Sequence, residues 1–153
     1  MRFATVATSA LFLSSLGLAV AAQQQKPAST AVVVYKSPTC GCCSNWIAHL
    51  KANGFQVDAN DVGDAQLRAI GASAGVTNEL SSCHTAKVGG YVVEGHVPAA
   101  DIQRLLKEKP AIAGIAAPGM PMGSPGMEQG GRKEAFDVIA FTKDGKTSVF
   151  AKH

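Results

Sequence analysis

Three of the chain's four cysteines fall within four residues, Cys40-Gly41-Cys42-Cys43, directly after the apolar run Ala31-Val32-Val33-Val34-Tyr35. Cys40 and Cys43 have the C-x-x-C spacing of a redox disulfide or a two-thiolate metal clamp. Cys42 between them fits neither use. A dithiol catalyst needs only two sulfurs, and a bond between the neighbours Cys42 and Cys43 would be strained. Three thiols in one turn point to a soft metal ion that shares sulfurs. The fourth thiol, Cys83, lies forty residues on beside His84.

Two ions suit such a set. Zinc would take four tetrahedral ligands, which Cys40, Cys42, Cys43 and Cys83 supply. Copper(I) accepts two or three soft ligands and builds clusters through bridging thiolates. The methionines tilt the choice to copper(I): Met120, Met122 and Met127 all lie in one Gly/Pro-rich stretch, and thioethers add almost nothing for zinc. Their other use is to pin that stretch to the core. Among the histidines, His84 beside Cys83 and His96 in Glu94-Gly95-His96-Val97-Pro98 are candidate ligands. His49 lies seven residues past Cys42, about 10 Å along a helix, too far to share an ion. His49 is therefore expected to be surface or packed, and the terminal His153 uninvolved.

Ala31 to Tyr35 is β-branched and predicts a buried strand. Pro38-Thr39-Cys40-Gly41 is turn chemistry, and from about Cys43 a helix follows, with Trp46, Ile47 and Leu50 facing inward and Asn53-Gly54 as its stop. A helix start lowers thiol pKa values through its free N–H groups, so partly ionised Cys40, Cys42 and Cys43 are expected. Phe55 to Asp58 alternates as a second strand, and Asp64 is placed as the cap of a second helix carrying Leu67, Ile70 and Ala74. Val88 to Val97 reads as one strand-like stretch broken by Gly89-Gly90 and Gly95. Pro98 to Lys109 reads as a helix with Ile102, Leu105 and Leu106 inward. Residues 111–134 form a long Gly/Pro/Met-rich loop. Phe136 to Thr142, Asp144-Gly145 and Lys146 to Ala151 close the chain as a β-hairpin that extends the sheet. The order predicts an α/β fold: a thioredoxin-like mixed sheet flanked by helices, with a C-terminal β-hairpin. In that topology the segment entering the third strand faces the C-x-x-C turn, which would bring Cys83 to the other thiols.

Residues 1–22 read as a signal peptide: Met1-Arg2, an apolar stretch from Ala10 to Val20, and a small-x-small site at Ala19-Val20-Ala21. The apolar core falls short of the roughly 20 residues that span a bilayer. A polar leader, 23–30, then precedes one domain, 31–153. The expected location is the periplasm, with no membrane span in the mature chain. A formal net charge of +3 without basic blocks or aromatic stripes argues against nucleic acid. Four cysteines in an exported chain would ordinarily pair as two disulfides. Three of them in one turn make a poor staple, because a framework disulfide stabilises by closing a long loop.

Several blocks recur in order in a known group: Ser37-Pro38-Thr39-Cys40-Gly41-Cys42-Cys43 with Trp46 and His49-Leu50, Ser82-Cys83-His84-Thr85-Ala86, Val93-Glu94-Gly95-His96-Val97-Pro98, and Pro118-Gly119-Met120-Pro121 with Gly123-Ser124-Pro125-Gly126-Met127-Glu128. From Val32 to Glu128 the chain resembles the exported metal-binding proteins first described only as a domain of unknown function, a group that includes the CopG-type copper-resistance proteins. The resemblance implies a thioredoxin-like fold, a periplasmic location, and copper held by the C-x-C-C cysteines as a thiolate cluster, with cycling between copper(I) and copper(II). It carries metal-binding roles onto Cys40, Cys42, Cys43, Cys83, His84, His96, Met120 and Met127. Met122 falls where the motif fixes nothing. The expected function is copper resistance, with metal ions and other periplasmic copper-handling proteins as partners. The alternative is a thiol–disulfide oxidoreductase acting on exported proteins, with Cys40 as nucleophile and Cys43 as resolving thiol. A disulfide-stapled carrier domain is the third option.

Overall fold

A computed structural model describes residues 30–153. The signal segment and all but the last residue of the leader lie outside the described residues. The elements run β1 (Ala31–Lys36), α1 (Gly41–Ala52), β2 (Gln56–Asp61), α2 (Asp64–Ser73), β3 (His84–Val88), β4 (Tyr91–Gly95), α3 (Ala99–Glu108), β5 (Gly114–Ala117), β6 (Asp137–Phe141) and β7 (Thr147–Lys152). Together the strands form one mixed sheet in the order β2-β1-β3-β4-β5-β6-β7. β1 runs parallel to β2 and antiparallel to β3. β3 and β4 form a hairpin, and β4 runs parallel to β5. The fold is therefore α/β as expected, and the closing hairpin extends the sheet by pairing β6 with β5.

Period-2 patterning decides which way each strand faces. On one face Val32, Val34, Ala86, Val88, Val93 and Ile115 are buried in a single cluster with Trp46, Ile47 and Leu50 of α1 and Ile102 and Leu105 of α3. The other face is thinner: Leu80, Ala116 and Phe141 form a second cluster there, and Gly71 of α2 lies against Thr85. Among the described residues, no helix is long and apolar enough to cross a membrane.

Four sequence expectations need correction. Val88 to Val97 does not hold one strand: β3 and β4 meet there through Gly89 and Gly90, whose φ angles of +55° and +87° make the tight turn that glycine permits. The 111–134 stretch is not all loop. Gly114-Ile115-Ala116-Ala117 is a fully buried strand in the middle of the sheet, where a Cβ at position 114 would collide with the Val92 backbone and the Phe141 ring. Small residues with little strand propensity hide such a segment, and close packing alone makes it a strand. The N-cap of α2 is Gly63, with Asp64 as its first helical residue. Lastly, α1 begins at Gly41 rather than Cys43, because Cys40 itself caps it: the Cys43 backbone N–H donates to Cys40 Sγ at 3.3 Å.

Candidate metal centre

The C-terminal end of β1, the N-terminal end of β3 and the C-terminal end of β4 lie side by side, since Lys36 pairs with His84 and Thr85 with Glu94. Each of these ends delivers a sulfur or an imidazole. After β1, the Ser37–Cys40 turn is closed by the Cys40 N–H donating to Ser37 O at 3.1 Å, and it starts α1. Cys83 immediately precedes β3, His84 begins it, and His96 follows β4. The four cysteine sulfurs all lie within 4.8 Å of one another. Cys40 and Cys43 are joined as a disulfide, with their Cα atoms 5.4 Å apart. Cys42 and Cys83 are free. Cys42 Sγ is 3.4 Å from Cys40 Sγ, and Cys83 Sγ is 3.5 Å from Cys43 Sγ. The sequence expectation of three ionised thiols at the helix start thus meets a pair already oxidised, because one helical turn from the N-cap brings positions 40 and 43 within bonding reach.

A second group shares Cys83. Its Sγ lies 3.1 Å from His96 Nε2 and 3.3 Å from His84 Nδ1. The His96 ring is oriented from behind: Nδ1 is 2.8 Å from Pro125 O. A carbonyl can only accept, so Nδ1 carries the proton and Nε2 presents its lone pair to the sulfur. Metal-bound imidazoles are commonly held by such an outer hydrogen bond. His84 is buried against Trp46, ring centroids 4.3 Å apart, and stands edge-on to His96 at 5.0 Å. Among the described residues its Nε2 makes no hydrogen bond of normal geometry, although the Gly95 carbonyl acts on the ring. Burial, and after it the neighbouring His96, pushes the His84 pKa down to about 3, and burial also lowers His96. Both rings are therefore neutral and competent as ligands. Burial, then the charge of Cys42, pushes the Cys83 thiol up to about 12, so a cation must displace its proton on binding.

The Gly/Pro/Met segment closes over this end of the sheet. A Cβ on Gly126 would lie 2.7 Å from both Cys42 O and Trp46 N, so the segment rests directly on the first turn of α1. Met127, next in sequence, is buried, whereas Met120 is 52% exposed and Met122 half-buried. Trp46 anchors the same turn from below, its Nε1–H donating to Val97 O at 2.8 Å. His49 is packed, as expected, with Nε2 accepting from the Ala99 N–H at 3.1 Å at the start of α3. His153 pairs with Asp101 at 2.7 Å and stacks on Phe136.

Two supporting residues lie outside the ligand set expected from the sequence. Pro125 orients His96 through a backbone carbonyl, which leaves no side-chain signature. Glu94 accepts from Ser82 N–H at 2.8 Å and from Thr85 Oγ1 at 2.7 Å, and so holds the turn that carries Cys83. Burial raises its pKa to about 7. Its one hint is a charged residue in an otherwise apolar strand. Beside the disulfide and Cys83 opens a polar cleft of about 570 Å³, lined among others by Ser37, Cys40, Arg68, Ser82 and Cys83. It leaves the Cys40 and Cys83 side of the sulfur group open to solvent.

The family profile described as "Protein of unknown function, DUF411" matches residues 80–127, the span from just before Cys83 to Met127. A comparison with curated proteins finds no match. Two solved structures, described as forms 1 and 2 of "Copper resistance protein copG", are each 46% identical, with a TM-score of 0.76. In both, the alignment covers 82% of this chain and 98% of the other. Identity at that level over nearly the full length of those structures, together with the profile match, places this chain in the DUF411 family that includes the CopG-type copper-resistance proteins.

Proposed function

We propose that this chain is a periplasmic copper-binding protein of copper resistance that holds copper(I) in a thiolate cluster. One observation carries the proposal: four cysteine sulfurs from two distant segments converge within 4.8 Å at one end of the sheet. Soft, closely spaced sulfurs suit a soft cation, and four of them so near one another suit bridging between ions. Reduction of the Cys40–Cys43 disulfide frees the full set of Cys40, Cys42, Cys43 and Cys83. His84 and His96 add neutral nitrogen donors, and Met127 and Met120 add thioethers from the segment above. The names of the two related structures support the resistance role. Cycling between copper(I) and copper(II) belongs to the proposal. Two copper(II) ions going to copper(I) take up two electrons, which the Cys40 and Cys43 thiolates release on closing to the disulfide; the return to copper(II) takes an external two-electron acceptor. Zinc is the weaker candidate because it is served by the four sulfurs alone and gains almost nothing from the thioethers.

Anaerobic copper(I) titration of the reduced protein with elemental analysis tests this. More than one ion per chain is expected, and Cys42→Ser should retain one ion while losing the higher stoichiometry. A Cys42→Ser variant that matches the wild type would remove the bridging role. Indifference of the wild type to copper(I) would remove the whole proposal.

A second reading is favoured by the disulfide itself. Cys40–Cys43 sits at a helix start, with Cys40 lining the open cleft, where an exported protein's thiol could attack. Brisk insulin reduction by metal-free protein together with weak copper affinity would select that oxidoreductase reading.

A further inference from the structure

We propose that the polar cleft beside the disulfide binds a small zwitterionic thiol, an amino-acid or short-peptide thiol of the cysteine type, which reopens Cys40–Cys43. The proposal rests on the copper reading above, in which the two thiolates close to that disulfide as copper(II) is reduced and must be regenerated before another round. Access comes first. Cys40 is half-buried and lines the cleft, whereas its disulfide partner Cys43 is fully buried. An entering thiolate therefore meets the Cys40 sulfur. The cleft's volume, about 570 Å³, falls within the roughly 300–1,000 Å³ of small-molecule sites. Ser37 and Thr39, whose hydroxyls lie 3.2 Å apart, and Asn78 line it with groups that hydrogen-bond a peptide's amides.

Charge then selects the thiol. Asp64 and Arg68 stand one helical turn apart on α2, both exposed and both lining the cleft. Opposite charges at that spacing ordinarily pair along a helix. Here, among the described residues, neither has an ion-pair partner. Glu94, the other carboxyl on the cleft, has its two oxygens engaged by the Ser82 N–H and the Thr85 hydroxyl. One free cation and one free anion are thus left beside a reactive disulfide. An α-amino-acid thiol carries both complements: a carboxylate for the Arg68 guanidinium and an ammonium for the Asp64 carboxylate.

The bonds and electrons balance. The thiolate of a first molecule attacks Cys40 Sγ and forms a mixed disulfide, while the Cys40–Cys43 bond breaks and Cys43 leaves as a thiolate that takes a proton from water. The thiolate of a second molecule attacks the sulfur of the first. That step releases the small-molecule disulfide and frees the Cys40 thiolate. Two small thiols lose two electrons between them, and the protein disulfide gains two. The Cys43 N–H, 3.3 Å from Cys40 Sγ, donates to the thiolate set free at the start of α1 and stabilises it.

The test follows disulfide opening in the metal-free, oxidised full mature chain by acid quench, alkylation and mass spectrometry. Glutathione is compared with the uncharged 2-mercaptoethanol at matched thiolate concentrations. Opening by glutathione should saturate and pass through a species carrying one glutathione on Cys40, whereas opening by 2-mercaptoethanol should stay proportional to its concentration. Arg68→Ala should shrink the preference for glutathione about tenfold, and Arg68→Lys should recover part of it. Opening proportional to glutathione concentration in the wild type, an undiminished preference in Arg68→Ala, or an adduct on Cys83 rather than Cys40 would each overturn the proposal. Faster opening by reduced insulin chains than by glutathione would overturn it too, giving the cleft to protein thiols. Copper(I) uptake by phosphine-reduced protein is measured separately. Uptake without saturable opening rejects the thiol site alone, and saturable opening without uptake rejects the copper(I) cluster alone.

Discussion

Gly126→Ala is the substitution that most directly tests how the Met-bearing segment is held over the sulfurs. Gly126 has φ +87°, a region that costs a non-glycine residue roughly 1–3 kcal/mol. The added Cβ would also lie 2.7 Å from Cys42 O, 2.7 Å from Trp46 N and 3.2 Å from Trp46 Cα. All three are backbone atoms of a helix and cannot swing aside, so overpacking adds about 1–3 kcal/mol if the segment stays in place. Gly119 is the control: its φ is +69° with nothing within 4 Å of its Cβ position, so Gly119→Ala carries the backbone strain alone. At about 3–5 °C per kcal/mol for a domain of this size, Gly126→Ala should lower Tm by roughly 6–30 °C and Gly119→Ala by about half as much. If the segment lifts instead, the loss of Tm shrinks but Pro125 leaves His96. Metal affinity should then fall about 10–100-fold. Thermal unfolding followed by far-UV circular dichroism, paired with metal competition titration, reads both outcomes. A Tm within about 2 °C of wild type, with unchanged affinity, would refute the contact between this segment and α1.

Two other perturbations follow from single contacts. Trp46→Phe removes the donor to the buried Val97 carbonyl and part of the surface packed at a tilt against His84. It should cost about 2–4 kcal/mol in denaturant unfolding, and a change below about 0.5 kcal/mol would show that the indole anchors nothing. Glu94 gives a pH dependence whose sign is fixed by burial. Its folded pKa, about 7 against an ordinary 4.5, means the native state binds more protons in between. Its stabilising contribution is therefore complete below about pH 4.5 and is lost as pH rises through 7, on the order of 3 kcal/mol in all. Glu94→Gln keeps an acceptor for the Ser82 N–H without the charge, so its unfolding midpoint should vary less between pH 5 and pH 8. Equal pH slopes for variant and wild type would contradict this.

Elements with strong local signals are legible in the residues alone. The β-branched run of β1 and the alternating hairpin at the end carry their period within a few positions. The convergence of Cys83 on the C-x-C-C turn follows from the expected βαβ order, since β1 and β3 must meet for their ends to meet. β5 is not legible: Gly-Ile-Ala-Ala has no strand period, and only the walls formed by Val92 and Phe141 make it extended. The division of Val88 to Val97 into β3, a turn and β4 is hidden for a related reason. Glycines read as breaks until a partner strand makes them the turn of a hairpin.

What the chain declares by itself is chemical: which donor atoms exist, that three sulfurs share one turn, and that soft methionines follow downstream. Those properties depend on residue type and on spacing along a few bonds. Which donors meet was settled by tertiary packing. Strand register set Cys83 beside Cys43, a proline carbonyl turned His96, and a buried tryptophan fixed the plane of His84. Coordination depends on distances between segments far apart in sequence, and only the closed sheet defines those distances.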